Sequence, residues 1–301
     1  MTISGFIYVR NGFDYSVPFL EAIHSVLPVC DEFVVVVGDS TDGTREAVEK
    51  IGDSRIRIID SVWDMSLRKG GKVFAQQSNI GLDHISGDWA FHIQADEVMH
   101  ESSLPHLKKL MKAHLHDDRM DGFLFPFLHF WGDYHHIRNS RRVHPWEIRL
   151  FKNNQLVRSY RDSQGFRIYQ TREGYENGAE KGAKLRVIKT DTTVYHYNGI
   201  RTPEELYRKV KKFNFFYDQN EINIEKERLE GTEDIHKVDR VTKFTGVHPG
   251  VMADRIAAFD FAFEHDRSKA CWKLKDRLAQ PVEDFLGIRF GGYKNYIVLK
   301  E

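Results

Sequence analysis

The sequence is poor in cysteine, and its two cysteines, Cys30 and Cys271, lie far apart. It contains no CxxC pair and no other metal-type cysteine spacing, which argues against a disulfide framework and against a zinc site built from thiolates. We therefore expect two lone, buried thiols in a protein of a reducing compartment.

The sequence also lacks a long apolar run. No stretch approaches the roughly 20 apolar residues of a membrane-spanning helix. The chain enters an apolar segment at Ile3–Val9 without the basic region that opens a signal peptide. This pattern favours a cytoplasmic enzyme and leaves open a peripheral contact with the inner face of a membrane.

The sequence has no excess of charge of either sign, because 44 acidic and 44 basic residues give a formal net charge of zero. Such a chain has no overall field that draws it to nucleic acid or to an anionic membrane, so we expect no nucleic-acid partner. With 41% hydrophobic residues, the 301 residues are enough for one large domain or a core with an attached subdomain. The sequence does not indicate an oligomeric state.

What the first half does contain is an alternation of strand and helix patterns. Short apolar runs predict strands at Ile3–Val9, Phe33–Val37, Arg55–Ile59, Trp89–Gln94 and Gly122–Phe127. Helical spacing lies between them, at Pro18–Leu27, Thr44–Ile51, Lys72–Ile85 and Ser102–Leu115. This order predicts an α/β fold with a mostly parallel sheet and helices on both faces. Ligands of such sheets bind beyond the carboxyl ends of the strands.

The second half is less regular. It predicts strands at Glu147–Phe151, Leu185–Lys189, Thr193–Tyr197 and Tyr296–Leu299, and helices at Thr202–Gln219 and Val251–Phe263. His129–Trp146 reads as a long loop or two short strands, and Asn220–Val238 as a solvated, charged helix or excursion. We expect residues 1–215 to form the core, in two halves that meet at about residue 127. Residues 216–301 would form a mostly helical extension.

Two acidic segments follow predicted strands. In Gly38–Thr44, Asp39 is placed to accept hydrogen bonds from a nucleoside, although an ordinary acidic turn with a helix cap explains the segment as well. In Gln94–Glu97, adjacent acids suit Mg²⁺ or Mn²⁺, which prefer oxygen ligands and often bridge to phosphates. A solvated acidic turn is the alternative here.

In this order, the segments resemble those of inverting family 2 glycosyltransferases with a GT-A fold, such as the transferases of bacterial cell-surface polysaccharide and lipopolysaccharide. Ile7–Asn11 resembles the family's first nucleotide-binding strand and loop, and Gly38–Thr44 its D-x-S-x-D-x-T segment. Arg68–Gly71, with Gln76 and Asn79 after it, resembles the segment that lines the donor. Gln94–Glu97 stands where the family has D-x-D. The resemblance covers about residues 3–215, and it implies a donor half to about residue 127 and an acceptor half from about 128 to 215.

The resemblance implies transfer of one sugar from a nucleotide-sugar donor, a UDP-sugar above all, to a saccharide or lipid-linked acceptor. The residues implied in donor binding are Arg10, Asp39, Asp42, Arg68, Gln76, Gln94, Ala95 and Asp96. Asp96 and His196 would hold the divalent cation, Mn²⁺ or Mg²⁺. Gln94 replaces the first acid of D-x-D, which removes one charged partner for ribose or metal.

An inverting transfer needs a carboxylate that takes the proton of the acceptor hydroxyl. The resemblance places this base after the Arg149–Phe151 strand, which here indicates Asp162, with Glu147 and Glu180 in reserve. The basic residues Arg201, Lys209 and Lys212 are candidates to meet the departing diphosphate. A solvated helix face explains Lys212 better.

The aromatic and histidine-rich segment His129–Trp146 has His129, His135, His136 and His144, but their spacings match no metal-ligand pattern. An acceptor-binding loop with stacking aromatic faces is one interpretation of this segment, and a plain aromatic core is the other.

Two other functions are compatible with the sequence. A degenerate transferase would bind a sugar nucleotide or glycan without turnover, as Gln94 allows. A sugar-phosphate nucleotidyltransferase would need a glycine-rich phosphate loop after the first strand, and Tyr8–Gly12 contains a single glycine.

Overall fold

The computed structural model of the protein describes residues 1–163, 165–206 and 235–300. Its strands are β1 (Ile3–Val9), β2 (Glu32–Val37), β3 (Ile56–Asp60), β4 (Trp89–His92), β5 (Glu97–Met99), β6 (Gly122–Arg138), β7 (Trp146–Lys152), β8 (Val157–Ser159), β9 (Phe166–Ile168), β10 (Ala183–Lys189), β11 (Val194–Ile200), β12 (Val241–Lys243) and β13 (Tyr296–Val298). Its α-helices are α1 (Phe19–Val26), α2 (Thr44–Glu49), α3 (Lys72–Asp83), α4 (Leu104–His114), α5 (Arg172–Glu176), α6 (Ala253–Ala257) and α7 (Leu274–Leu286).

The central sheet has the order β3-β2-β1-β4-β7-β6-β10-β9-β8. Strands β3, β2, β1 and β4 run parallel, and β7 is inserted antiparallel between β4 and β6. Because β1, β2 and β4 are parallel, their carboxyl ends all lie at the same edge of the sheet. The predicted mixed α/β class, with a mostly parallel core, is confirmed.

Strand β2 shows why the core has two layers. Its residues are apolar at every position after Glu32, and alternate side chains enter opposite faces of the sheet. Val35 joins the cluster that contains α1 and α4, whereas Val34 and Val36 join the cluster on the face covered by α3. Helices therefore cover both faces, as the sequence predicted.

The segment after Phe127 differs from the prediction. Strand β6 continues to Arg138 without a break into a loop or two short strands. Its first part pairs with β7 and β10, and its second part pairs with β11 and β12. The second part persists because Phe130 and Tyr134 pack into a separate aromatic cluster with Tyr197. This extension carries the sheet beyond the Rossmann-like layer.

The C-terminal segment adds strands to the same sheet. β12 pairs with β6 and β13 pairs with β10, which confirms the terminal strand expected near Tyr296. The helix expected at Val251–Phe263 is limited to α6, because phenylalanines at every second position from Phe259 follow the period of an extended chain. The division at residue 215 stays a prediction.

Three other expectations have different outcomes. Cys30 is buried, but Cys271 is exposed, so the expectation of two buried thiols is wrong for Cys271. Most of the predicted Thr202–Gln219 helix and Asn220–Val238 excursion, with Lys209 and Lys212, lies outside the described residues. Within the described ranges, no helix is long and apolar enough to cross a membrane.

A buried histidine in β4 generates a first prediction. The His92 ring is fully buried and stacks on Phe6, with ring centroids 4.7 Å apart. Neither ring nitrogen has a hydrogen-bond partner of good geometry among the described residues, and burial holds the pKa of His92 well below its usual value. A buried polar group without a partner costs roughly 1–3 kcal/mol.

We therefore expect His92→Phe to raise the free energy of unfolding by about 1–2 kcal/mol in urea titrations at pH 7.5. The gain should widen below pH ~6.5, because the unfolded wild-type chain takes up a proton that the folded chain excludes. The control is His106→Phe on the exposed surface of α4, which should change stability by less than about 0.5 kcal/mol. Equal stability of wild type and His92→Phe would contradict the prediction.

Candidate active site

The carboxyl ends of β1 and β2 bring Arg10 and Asp39 together. Arg10 Nη2 donates to Asp39 Oδ2 at 2.9 Å, and the guanidinium lies 5.5 Å from the centroid of the Trp63 ring. Gly38 allows this packing, because a Cβ at that position would lie 2.5 Å from Trp63 Nε1. The structure thus places a cation, a carboxylate and an indole side by side where the sequence predicted nucleoside binding.

Asp42 joins the loops that follow β1 and β2. Its Oδ1 accepts from the backbone N–H of Thr44 at 3.1 Å, and its Oδ2 accepts from the backbone N–H of Asp14 at 2.9 Å. These hydrogen bonds stabilise the carboxylate, and the pKa of Asp42 is lowered despite its partial desolvation. Asp42 therefore stabilises the two loops that carry Arg10 and Asp39. Its predicted contact with the donor stays a prediction.

The turn after β4 carries Gln94, Ala95 and Asp96, and a buried ion pair anchors it. Arg149 Nε and Nη2 donate to the two carboxylate oxygens of Glu97, both at 2.6 Å, and the two side chains are 3% and 1% exposed. Glu97 Oε2 also accepts from the backbone N–H of Gln94 at 3.1 Å. Glu97 thereby fixes the end of the turn through Arg149 and its start through the backbone of Gln94.

Asp96 and His196 form the candidate metal-binding pair. His196 Nε2, on β11, lies 3.4 Å from Asp96 Oδ2. Ligand atoms of Asp96, Glu97 and His196 all lie within 4.8 Å of one another. Because Glu97 is already bidentate to Arg149, the pair that remains for a cation is one carboxylate and one imidazole. This donor set fits a divalent ion that takes its other ligands from phosphate and water.

Two histidines of the segment His129–Trp146 lie beside His196, although their spacing in the sequence matches no metal-ligand pattern. The His129 and His196 rings are 4.9 Å apart between centroids, and the His129 and His144 rings are 4.5 Å apart. Sequence spacing did not indicate this, because 67 residues separate His129 from His196. Phe130, Trp131 and Tyr134 of the segment contribute to clusters within the protein, which favours the core interpretation for them, whereas Trp146 lines a cavity.

Arg201, just after β11, is 1% exposed. Its Nη1 donates to the Ile200 carbonyl oxygen, whereas Nε and Nη2 have no hydrogen-bond partner in the described part of the chain. Burial lowers the pKa of Arg201 to about 10, although the nearby carboxylates of Asp96 and Glu205 act to raise it. At neutral pH it remains a buried cation beside Asp96 with two donors to spare.

A cavity of about 990 Å³ extends from this turn to α7 and the C-terminal strand. Gln94, His129, Trp146, Glu147 and Asp162 are among its lining residues. The cavity therefore joins the predicted donor turn to the predicted base.

Asp162 lies against the segment that the sequence predicted to line the donor. Gly71, the last residue of Arg68–Gly71, has a φ of +67°, and a Cβ on it would lie 2.6 Å from Asp162 Cβ. The residues on either side of Asp162, Arg161 and Ser163, also have positive φ values, of 56° and 62°. Such backbone strain in residues other than glycine clusters at functional sites.

The remaining predicted residues occupy different positions. Glu147 Oε2 is buried, and desolvation raises the pKa of Glu147 to about 7 against the opposing effect of Arg149. Glu180 accepts hydrogen bonds from Gln170 and Thr171 at the far edge of the sheet. Arg68 and Gln76 are half-buried, Arg68 beside Gly71 and Gln76 on α3.

With this geometry in place, comparison with known proteins identifies the family. The sequence model of glycosyl transferase family 2 matches residues 15–172, which is more than half of the chain. The chain belongs to glycosyl transferase family 2. The family match covers β2, the β4 turn and Asp162, whereas Arg10, His196 and Arg201 of the site lie outside the matched residues.

Solved glycosyltransferase structures are similar to parts of the chain. One is Staphylococcus aureus TarS 1–349 in complex with UDP-GlcNAc, at 20% identity and a TM-score of 0.33, over 48% of this chain and 39% of that one. Another is S. aureus TarS, at 15% identity and 0.38, over 76% of this chain and 42% of that one. The chain thus spans about two fifths of each.

A third is Mycobacterium tuberculosis glucosyl-3-phosphoglycerate synthase with Mn²⁺, UDP and phosphoglyceric acid, at 19% identity and a TM-score of 0.30. That match covers 42% of this chain and 43% of that one. No curated protein matches the chain.

The buried ion pair generates the second prediction. Replacing Glu97 with Ala leaves the Arg149 cation buried without its partner, which costs about 3–5 kcal/mol. We expect this loss in the free energy of unfolding from urea titration. The matched control is Glu49→Ala, which removes the exposed i,i+4 pair with Arg45 and should cost less than about 1 kcal/mol.

A double variant, Glu97→Leu with Arg149→Met, separates the unpaired charge from the loss of packing. It should recover most of the stability lost in Glu97→Ala, because both charges are then absent. A Glu97→Ala variant as stable as Glu49→Ala would show that the ion pair does not hold the β4 turn.

Proposed function

We propose that the protein is an inverting glycosyltransferase that moves one sugar from a nucleotide-sugar donor to a saccharide or lipid-linked acceptor. The observation that carries the proposal is that Gln94, of the predicted donor turn, and Asp162, the predicted base, line the same cavity. A transferase needs donor and acceptor within one enclosed space, because its base must reach the hydroxyl that attacks the donor sugar. Cell-surface glycan synthesis, at the inner face of the membrane, is the setting expected from the resemblance alone.

Donor binding is assigned to the edge of the sheet at β1, β2 and β4. Arg10 and Asp39 contact the nucleoside, with Trp63 as the apolar wall behind the Arg10 guanidinium. Arg201 supplies buried donors to the diphosphate, since its Nε and Nη2 have no partner in the ranges that the structure describes. A desolvated cation near the leaving diphosphate is worth more than an exposed one.

Asp96 and His196 would hold the divalent cation. An imidazole ligand beside a carboxylate suits Mn²⁺ better than Mg²⁺, which favours oxygen ligands. When bound, the cation would stabilise the charge of the diphosphate as a Lewis acid. Gln94 leaves the site with a single carboxylate from the turn after β4, so we expect metal binding to depend on the nucleotide.

Asp162 is the proposed general base. Its carboxylate takes the proton of the acceptor hydroxyl while the hydroxyl oxygen bonds to the anomeric carbon and the bond to the diphosphate breaks. Attack from the face opposite the diphosphate inverts the anomeric centre. The contact with Gly71 and the left-handed residues at 161 and 163 support this role, because they fix Asp162 beside the donor-lining segment. Glu147 is the second carboxylate of the cavity.

A degenerate protein that binds a sugar nucleotide without turnover is the second candidate function. The replacement of the first acid of D-x-D by Gln94 favours it. It shares the donor pocket with the transferase, and it differs in lacking transfer and hydrolysis.

The third prediction concerns the donor. In a thermal-shift screen of UDP, GDP, dTDP and CMP, we expect UDP to raise the melting temperature and Mn²⁺ to enlarge that shift, because specific binding stabilises the folded state by mass action. Asp39→Asn, an isosteric change, should reduce the UDP shift with or without Mn²⁺. Asp60→Asn, at the exposed end of β3, is the matched control. No shift with any nucleotide would overturn the donor-site proposal.

The screen also separates the two candidate functions. A UDP-sugar that binds tightly but is neither transferred nor hydrolysed, with or without Mn²⁺, would favour the degenerate binder. Detection of UDP release in the presence of acceptor would favour the transferase.

The fourth prediction decides between the two carboxylates. We expect Asp162→Asn to lower kcat by about 10²–10⁴-fold, the range typical of general bases, with donor binding unchanged. Glu147→Gln should retain most of the turnover.

A pH profile of kcat/KM tests the alternative that Glu147, and not Asp162, is the base. If Glu147 were the base, kcat/KM of the wild type would rise with pH and level off above about 7, because only the carboxylate accepts the proton. Glu147→Gln would then lose the activity, and Asp162→Asn would keep it.

A further inference from the structure

Three contacts run in series from a backbone carbonyl to Asp96. His129 Nε2 lies 2.6 Å from the carbonyl oxygen of His144. His129 Nδ1 lies 2.8 Å from His196 Nδ1. His196 Nε2 lies 3.4 Å from Asp96 Oδ2. His129 is 8% exposed, so this series is largely shielded from water.

The chemistry of these atoms fixes where the protons are. A carbonyl oxygen only accepts, so His129 Nε2 must carry a proton. The contact between the two Nδ1 atoms needs one proton. If His129 supplied it, both of its ring nitrogens would be protonated, and an imidazolium would be buried with no carboxylate at hydrogen-bond distance among the described residues. His196 Nδ1 therefore donates and His129 Nδ1 accepts.

The two contacts of His129 assign it as a neutral imidazole. A neutral imidazole has one donor nitrogen and one acceptor nitrogen, as the two contacts require.

The proton on His196 Nδ1 determines which nitrogen faces Asp96 at the end of the series. Because Nδ1 carries the donated proton, Nε2 is the only ring nitrogen of His196 that can offer a lone pair, and Nε2 is the atom that faces Asp96. A proton or a metal cation can bind between Nε2 and the Asp96 carboxylate oxygen, which lies 3.4 Å away. The order of the hydrogen bonds thus prepares His196 as a metal ligand before any ion arrives.

The strand register builds this series. His196 on β11 is the pairing partner of His129 on β6 and, across the other edge of the strand, of Glu97 on β5. Glu97 is in turn fixed by Arg149, so the ring of His196 is held between two buried neighbours.

We propose that His129 is a positioning residue, which holds His196 in the tautomer that directs the Nε2 lone pair at a divalent cation shared with Asp96. The inference rests on the proposed metal site and deepens it by naming the group that orients the imidazole ligand. Outer partners of metal-binding histidines typically contribute 10–100-fold to metal affinity.

The test uses two substitutions of different chemistry. His129→Phe keeps the ring shape and removes the acceptor, whereas His129→Asn places an amide oxygen near the former Nδ1 position and can still accept from His196. We measure the Kd of Mn²⁺ by electron paramagnetic resonance on the full chain with UDP present. His129→Phe should weaken Mn²⁺ binding by about 10–100-fold, and His129→Asn should restore most of it.

His92→Phe is the matched control, since it replaces another buried imidazole by the same substitution, on β4. It should leave the Kd of Mn²⁺ unchanged. Equal Mn²⁺ affinity in wild type and His129→Phe, with both proteins folded by circular dichroism, would overturn the role of His129.

A second readout needs no variant at position 129. In ¹⁵N-histidine-labelled wild type without metal, two-bond ¹H–¹⁵N correlations should show His196 as the Nδ1–H tautomer and His129 as the Nε2–H tautomer. The His196 signals are assigned by their loss in His196→Gln. An Nε2–H or doubly protonated His196 at pH 7.5 would overturn the proposal.

The two readouts keep this inference distinguishable from the proposed function. A wild type that binds UDP but no Mn²⁺ would overturn the metal site and its positioning residue, and would leave the donor pocket standing. A wild type that binds Mn²⁺ and UDP but has the other His196 tautomer would overturn the inference alone.

Discussion

The buried ion pair between Arg149 and Glu97 is the interaction on which the arrangement of the site depends. It links the antiparallel strand β7 to the start of β5, and Glu97 also accepts from the backbone of Gln94. The carboxylate therefore fixes both the turn that bears Asp96 and the strand that follows it. A buried ion pair is weak evidence for net stability, because desolvation opposes the attraction. Its contribution here is geometric, since it gives the turn a single position relative to the sheet.

The same ion pair also shapes the charge of the cavity. Arg149 and Glu147 both lie on β7, and both line the cavity. Arg149 lowers the pKa of Glu147 and Glu97 raises it, while desolvation has the largest effect and brings the pKa to about 7. The turn after β4 and the cavity are therefore electrostatically connected through one guanidinium. A change in either carboxylate alters the field at the other.

The sequence predicted those parts of the site that depend on local pattern. The apolar strands β1, β2 and β4 end where expected to within a residue or two, and parallel strands bring their carboxyl ends to one edge. Arg10, Asp39 and Asp96 could therefore be assigned to that edge. The contact of His129 with His196 depends on pairing between β6 and β11, which lie 67 residues apart at this point, and no local period encodes that register. The unbroken continuation of β6 beyond Phe127 was missed for the same reason, because this part is stabilised by partners distant in sequence.

Register also determines the geometry of the proposed metal site, which has a single available acid in the turn after β4. Side chains alternate along a strand, so a shift of β11 by one residue would turn His196 away from both Asp96 and His129. The register is fixed on one side by β5, which begins at Glu97, and on the other by β6. With Gln94 in place of an acid, charge would contribute less to binding a cation at the proposed site, and the fixed direction of the remaining ligands would contribute more. The buried contacts around His196 supply that direction, since Glu97 and His129 leave its ring one orientation in which both nitrogens are used.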